Sequence, residues 1–110
     1  MPQRKKKLPV QFLNLKRRHK AFLDAVETLG RTVKAEGPLD DKTAHLIQLA
    51  AAVSIRSEGS VHSHCRRALE SGASPEEIRH AIILLTSTIG FPTVSAALSW
   101  ADDILVKKGS

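Results

Sequence analysis

The stretch Ala68–Pro92, ALESGASPEEIRHAIILLTSTIGFP, decides the fold. Ser74 stands where a helix N-cap is needed. Pro75 takes the first helical position, where its missing N–H costs nothing, and Glu77 follows the cap by three residues in the capping-box arrangement. The helix so opened runs through Ile78, Ala81, Ile82, Leu84, Leu85 and Ile89 and is apolar on nearly all sides, so it must be covered on nearly all sides. Gly72 closes the preceding helix as a left-handed cap, and Gly90-Phe91-Pro92 turns the chain into the next one.

Reading outward from this stretch, every long apolar segment keeps helical spacing. Upstream, a third helix includes Val61 to Glu70. Before it, Asp40 or Asp41 can cap a second helix that continues through Leu46, Ile47, Leu49, Ala50 and Val53 to about Arg56. A first helix is expected from about Asn14 to Ala35, with Leu15, Phe22, Ala25, Val26, Leu29 and Val33 near 3.6-residue spacing and Gly30 weakening it. Glu36-Gly37-Pro38-Leu39 stops it, Gly37 being suited to a left-handed C-terminal cap. Downstream, Val94, Ala97, Leu98, Ala101, Ile104 and Leu105 share one face of a last helix, whose negative C-terminal end suits Lys107 and Lys108. Period-two alternation of β-branched and aromatic residues is missing and tyrosine is absent, which argues against strands. The expected fold is all-α, a five- to six-helix bundle, with residues 1–13 as a basic arm and 14–110 as the helical domain.

A chain of 110 residues with 42% hydrophobic content is the size of one domain with its own core. The most apolar run, Ala81 to Leu85, is interrupted by Thr86, Ser87 and Thr88, well short of a membrane span. No sustained apolar segment follows the basic N-terminus as a secretory signal would require. A single cysteine, Cys65, cannot form an internal disulfide and fits a reducing compartment. A cytoplasmic protein is the expectation. The net charge of +6 is concentrated at one end: residues 1–20 hold eight Lys and Arg and no acid. A short basic terminus of this kind is ordinarily a solvated tail, so nucleic-acid binding is not expected. Five helices in so short a chain leave apolar surface uncovered, which predicts a homo-oligomer with the fourth or fifth predicted helix in the interface.

One polar constellation stands out. Ser57, Ser60 and His64 are spaced three and four apart and form a stripe if the third helix starts near Ser57. His45 lies in the second helix, and a short connection near residues 56–59 would bring it alongside, so that two imidazoles and two hydroxyls share a pocket. A metal site from His45, His62, His64 and Cys65 is disfavoured by geometry, since His62 and His64 lie about 200° apart on a helix. No metal and no cofactor are expected. A Ser60-His64 hydrolase lacks any sign of a nucleophile elbow or oxyanion hole. His19 and His80 fall at exposed helix positions, and Trp100 at a core or interface position.

From Lys42 to Leu105 the sequence resembles the core of the carboxymuconolactone decarboxylase and alkylhydroperoxidase-D-like family, ALESGASPEEI with its apolar helix and GFP turn being the most characteristic part. In the peroxidase-like branch the motif is a glutamate, eleven residues, a cysteine, two residues, a cysteine, three residues and a histidine. Laid on this chain, His45 stands at the glutamate position, Ser57 and Ser60 at the cysteine positions, and His64 at the histidine position. The resemblance therefore implies that thiol peroxidase chemistry is absent, because that chemistry needs a thiolate and a resolving thiol and serine supplies neither. The decarboxylase branch does without the cysteine pair and keeps a histidine at the position of His64. This likeness implies a small-molecule enzyme using His64 as general acid or base on a carboxylated substrate, with an arginine, among Arg56, Arg66 and Arg67, to hold the carboxylate. Two alternatives stay open: a disulfide oxidoreductase whose cysteines were replaced by serine, and a scaffold that has lost catalysis. The resemblance also implies a trimer or hexamer.

Overall fold

The computed structural model describes residues 9–106, all of whose regular structure is helical. The basic run Arg4–Lys7, Lys107 and Lys108 lie outside the described residues. Seven helical segments follow one another: α1 (Val10–Arg18), α2 (Lys20–Ala35), α3 (Asp41–Ser54), α4 (Glu58–Glu70), α5 (Pro75–Ile83), α6 (Thr86–Ile89) and α7 (Phe91–Leu105). They fall into two compact units that divide between Pro38 and Leu39.

In the first unit the single helix expected from Asn14 to Ala35 is two. α1 already begins at Val10, and helical geometry is lost at His19, with φ −134° and ψ 56°. The five residues from Lys16 to Lys20 offer no apolar side chain to anchor that turn, and Lys16 and Lys20 would repel at i, i+4 in a continuous helix. The break lets Lys16 pair with Glu27 at 3.4 Å instead, while Lys20 pairs with Asp24 within α2. Leu23 is the buried residue of α2. Gly37 does not take the left-handed cap expected of it, since positive φ among the described glycines is confined to Gly72 and Gly90. α2 ends instead in a tighter turn, with the Glu36 amide donating to the Val33 carbonyl at 3.3 Å, and Pro38 prevents its continuation.

The second unit holds the main core. Leu49 and Val53 from α3, Val61, Cys65 and Ala68 from α4, Ile78 and Ile82 from α5, and Val94, Ala97 and Ala101 from α7 are buried together. Their spacings of three and four place one stripe of each helix inward. Trp100 lies half-buried against this core, as do Leu98, Ile104 and Leu105. The caps are the expected ones. Asp40 accepts from the Thr43 amide at 2.8 Å. The Glu77 amide donates to Ser74 Oγ at 3.0 Å, and the Ser74 amide donates to Glu77 Oε1 at 2.9 Å.

Two features depart from expectation. The apolar helix does not run unbroken to Ile89: it stops at Ile83 and resumes at Thr86. Thr86 Oγ1 donates to the Ile83 carbonyl at 2.8 Å, the kind of local side-chain bond by which threonine competes with the helix ladder. Nor is this helix covered on nearly all sides, for Ile83 and Leu84 are 51% and 62% exposed. Ile78, Ile82, Leu85 and Ile89 form its packed side.

Candidate functional site

The site is built on the α3–α4 hairpin, the most extensively packed helix pair of the described residues. α3 ends in a Schellman arrangement: the Ser57 amide donates to the Ala52 carbonyl at 3.0 Å and the Arg56 amide to the Val53 carbonyl at 2.9 Å. This requires a left-handed residue at the position glycine ordinarily occupies, and Arg56 takes it with φ 56°, the one positive φ among described non-glycine residues. Its guanidinium is spent on the neighbouring helix, Nη1 donating to Thr93 Oγ1 at 2.8 Å. Gly72 closes α4 in the same manner at φ 100°.

The tight turn folds α4 back along α3 and sets His64 against His45. Their Nδ1 atoms face each other at 3.3 Å, with ring centroids 5.5 Å apart and the planes tilted by 38°. His45 is only 4% exposed, and it is the buried polar side chain of a core otherwise apolar. Two facing Nδ1 atoms can bond when one carries the proton and the other offers its lone pair. The donor ring then carries no proton on Nε2 and the acceptor ring carries one there, so the two rings are opposite tautomers.

Burial holds His64 down to a pKa of about 4, with the positive charge of Arg67 and then His45 pushing the same way. At neutral pH it is an uncharged imidazole. Of the three candidate arginines, Arg67 is thus the one whose charge bears on His64, whereas Arg66 bears on Cys65.

The serines are placed differently from the imidazoles. Ser57 is not the first residue of a helical stripe but the N-cap of α4, its Oγ accepting from the Ser60 amide at 3.4 Å. Both serines are half-buried. Among the described residues no hydrogen bond joins either hydroxyl to His64; the contact that the hairpin makes is the one between the two imidazoles.

Cys65 is wholly buried, and burial pushes its thiol up to about 11. It is a small core residue and no substitute for the missing thiols. His62 faces away from His64 and meets Asp103 of α7, with Nε2 3.0 Å from Oδ2; Glu58 Oε2 lies 3.9 Å from the same Nε2. The set His45, His62, His64 and Cys65 therefore does not converge. The Glu58–His62 spacing of four is visible in the sequence, but the approach of Asp103 depends on α4 packing against α7 and left no local sign. His19 and His80 are exposed, as expected.

The sequence model of the carboxymuconolactone decarboxylase family matches residues 20–103, a span that includes the α3–α4 hairpin, the capped α5 and the GFP turn. The chain belongs to that family. The match begins at the first residue of α2, so the carboxymuconolactone decarboxylase pattern reaches further toward the N-terminus than the Lys42–Leu105 resemblance and spans both compact units. No curated protein and no solved structure matches the chain.

Proposed function

We propose that this chain is a diverged carboxymuconolactone decarboxylase-family enzyme that transfers a proton through the His45–His64 pair to or from a small carboxylated substrate, and that it is not a thiol peroxidase. The observation that carries the reading is the part-buried imidazole pair itself, Nδ1 to Nδ1 at 3.3 Å. A second histidine in the place of a glutamate gives His64 a partner whose ring nitrogens can donate as well as accept, where a carboxylate only accepts.

In a decarboxylation the bond from carbon to the carboxylate breaks and carbon dioxide leaves. The electron pair stays on the carbon, delocalised into an adjacent carbonyl as an enolate, until that carbon takes a proton. His64 is deprotonated at neutral pH in the free protein, but an anion bound beside it favours the imidazolium and raises its pKa towards neutrality. The substrate thereby charges its own general acid, which then protonates the enolate carbon. Arg67, whose charge already reaches His64, is the residue assigned to the carboxylate.

The test is a panel of small lactone and β-keto carboxylates scored by carbon dioxide release. His64→Ala is expected to lose about 10²–10⁴-fold in kcat, the usual weight of a general acid, and Arg67→Ala to act mainly through KM. Full turnover by His64→Ala removes the imidazole pair from the mechanism.

The N-terminus of α4 favours a second reading. Ser57 at its N-cap and Ser60 in its first turn occupy the position where helix-terminal amides stabilise a thiolate, as a disulfide oxidoreductase with cysteines there would require. For assembly, the exposed Ile47, Ile55, Ile83, Leu84 and Phe91 of the second unit support a homo-oligomer, a trimer or hexamer by family likeness, with α5 or α7 in its interface. Light scattering on the eluted protein tests this; a monomeric mass at micromolar concentration contradicts it.

A further inference from the structure

A second cluster of ligating side chains lies on the other side of α4 from His64. Glu58 and His62 stand at i, i+4 on α4, and Asp103 reaches them from α7. One donor atom from each side chain lies within 4.8 Å of both others, and the two separations to His62 Nε2 are 3.0 Å from Asp103 and 3.9 Å from Glu58. Around a single zinc-like ion, metal–donor bonds of about 2.0–2.2 Å put neighbouring donors roughly 3.0–3.5 Å apart. The observed triangle needs only a small closure, and Glu58 is the side chain free to make it, being 56% exposed.

The charge around the cluster has the sign a cation requires. Arg79 pairs with the adjacent Asp102 at 3.3 Å and not with Asp103. Among the described residues, neither Glu58 nor Asp103 pairs with a lysine or arginine; the ion-pair partner of each is His62. Two carboxylates and one imidazole nitrogen thus face a common point. Packing between α4 and α7 fixes that point from two elements, and His62 is the most enclosed of the three side chains at 23% exposure.

From this geometry we propose that Glu58, His62 and Asp103 form a binding site for a divalent cation of the borderline class, zinc or cobalt, with water completing the coordination. One nitrogen and two oxygens suit such an ion better than magnesium or calcium, which prefer oxygen alone. The ion would tie the first turn of α4 to the C-terminal part of α7. It neither uses nor touches the His45–His64 pair, so the two sites stand or fall separately.

The experiment uses the full chain stripped with EDTA and titrated with zinc by calorimetry and with cobalt by visible absorption, alongside thermal melts. The expected result is saturable binding, ligand-field bands from cobalt, and a metal-dependent rise in Tm. His62→Gln, Asp103→Asn and Glu58→Gln should each weaken binding by about tenfold or more, roughly 1.4 kcal/mol or more of binding free energy. His64→Gln should leave it unchanged. Each variant's melt in EDTA supplies its own baseline, so a loss of fold is separated from a loss of metal. Absence of saturable binding, or binding that survives the three substitutions or is lost with His64→Gln, overturns the assignment.

Discussion

His45 and His64 meet Nδ1 to Nδ1 at 3.3 Å across the α3–α4 hairpin, and the consequences begin with protonation. Burial and the charge of Arg67 hold the folded-state pKa of His64 at about 4, whereas in an unfolded chain it sits near 6.5. Between these values the unfolded chain binds more protons, so the contribution of His64 to stability is complete above about pH 6.5 and falls away as pH drops towards 4. Melting temperature followed across this window should decline more steeply in the wild type than in His64→Gln, which has nothing to titrate. Parallel curves contradict the depressed value.

The strained turn ahead of the site gives an ordered prediction. Arg56 holds φ 56° where glycine is the favoured residue, at a steric cost of about 1 kcal/mol. Against this stands one exposed hydrogen bond to Thr93, worth about 0.5 kcal/mol. Arg56→Gly should therefore stabilise the protein by a few tenths of a kcal/mol up to about 1 kcal/mol. Arg56→Ala, which keeps the strain and loses the bond, should destabilise it slightly. Urea unfolding of the three proteins checks the order; a less stable glycine variant refutes it.

Much of this was legible in the sequence, and the division has physical causes. The caps Asp40, Ser74 with Glu77, and Gly72 were readable because capping is local: Asp40 and Ser74 each meet an amide three residues away, and Gly72 supplies the left-handed backbone that ends α4. So was the His45–His64 approach, because a short turn between two amphipathic helices leaves few ways to fold back. What periodicity did not reveal were interruptions: His19 and the Leu84–Leu85 step break helices whose apolar pattern continues across them. Arg56 in the left-handed conformation carried no compositional signal at all, and Asp103 reaches His62 from 41 residues away.

Removing the cap of α5 should cost what one good N-cap contributes. Ser74→Ala leaves the Glu77 amide without its acceptor at 3.0 Å, with an expected loss of about 1 kcal/mol. A loss under a few tenths of a kcal/mol in chemical denaturation means that water replaces the hydroxyl at no cost.

Cys65 supplies a test of the core. A wholly buried thiol raised to about 11 is protonated and shielded at neutral pH, so iodoacetamide should label it slowly in the folded protein and rapidly in urea. Fast labelling under native conditions would show that the α4 core is open.

Placing thiols where the serines stand probes the helix terminus. Ser57→Cys with Ser60→Cys should yield a protein that forms a reversible disulfide between the two positions, detected by mass and free-thiol count, because an N-cap and the third residue after it lie within one turn. Two thiols that stay reduced under oxidising conditions would rule out the redox reading of this terminus.

The most direct measurement is a nitrogen-15 NMR titration of the two imidazoles. A coupled pair predicts that near neutral pH His45 and His64 adopt opposite tautomers, one protonated at Nδ1 and the other at Nε2, with His64 gaining its second proton only near pH 4. Two rings that titrate independently close to 6.5 would show that no proton is shared between them, and the proposed chemistry would lose its foundation.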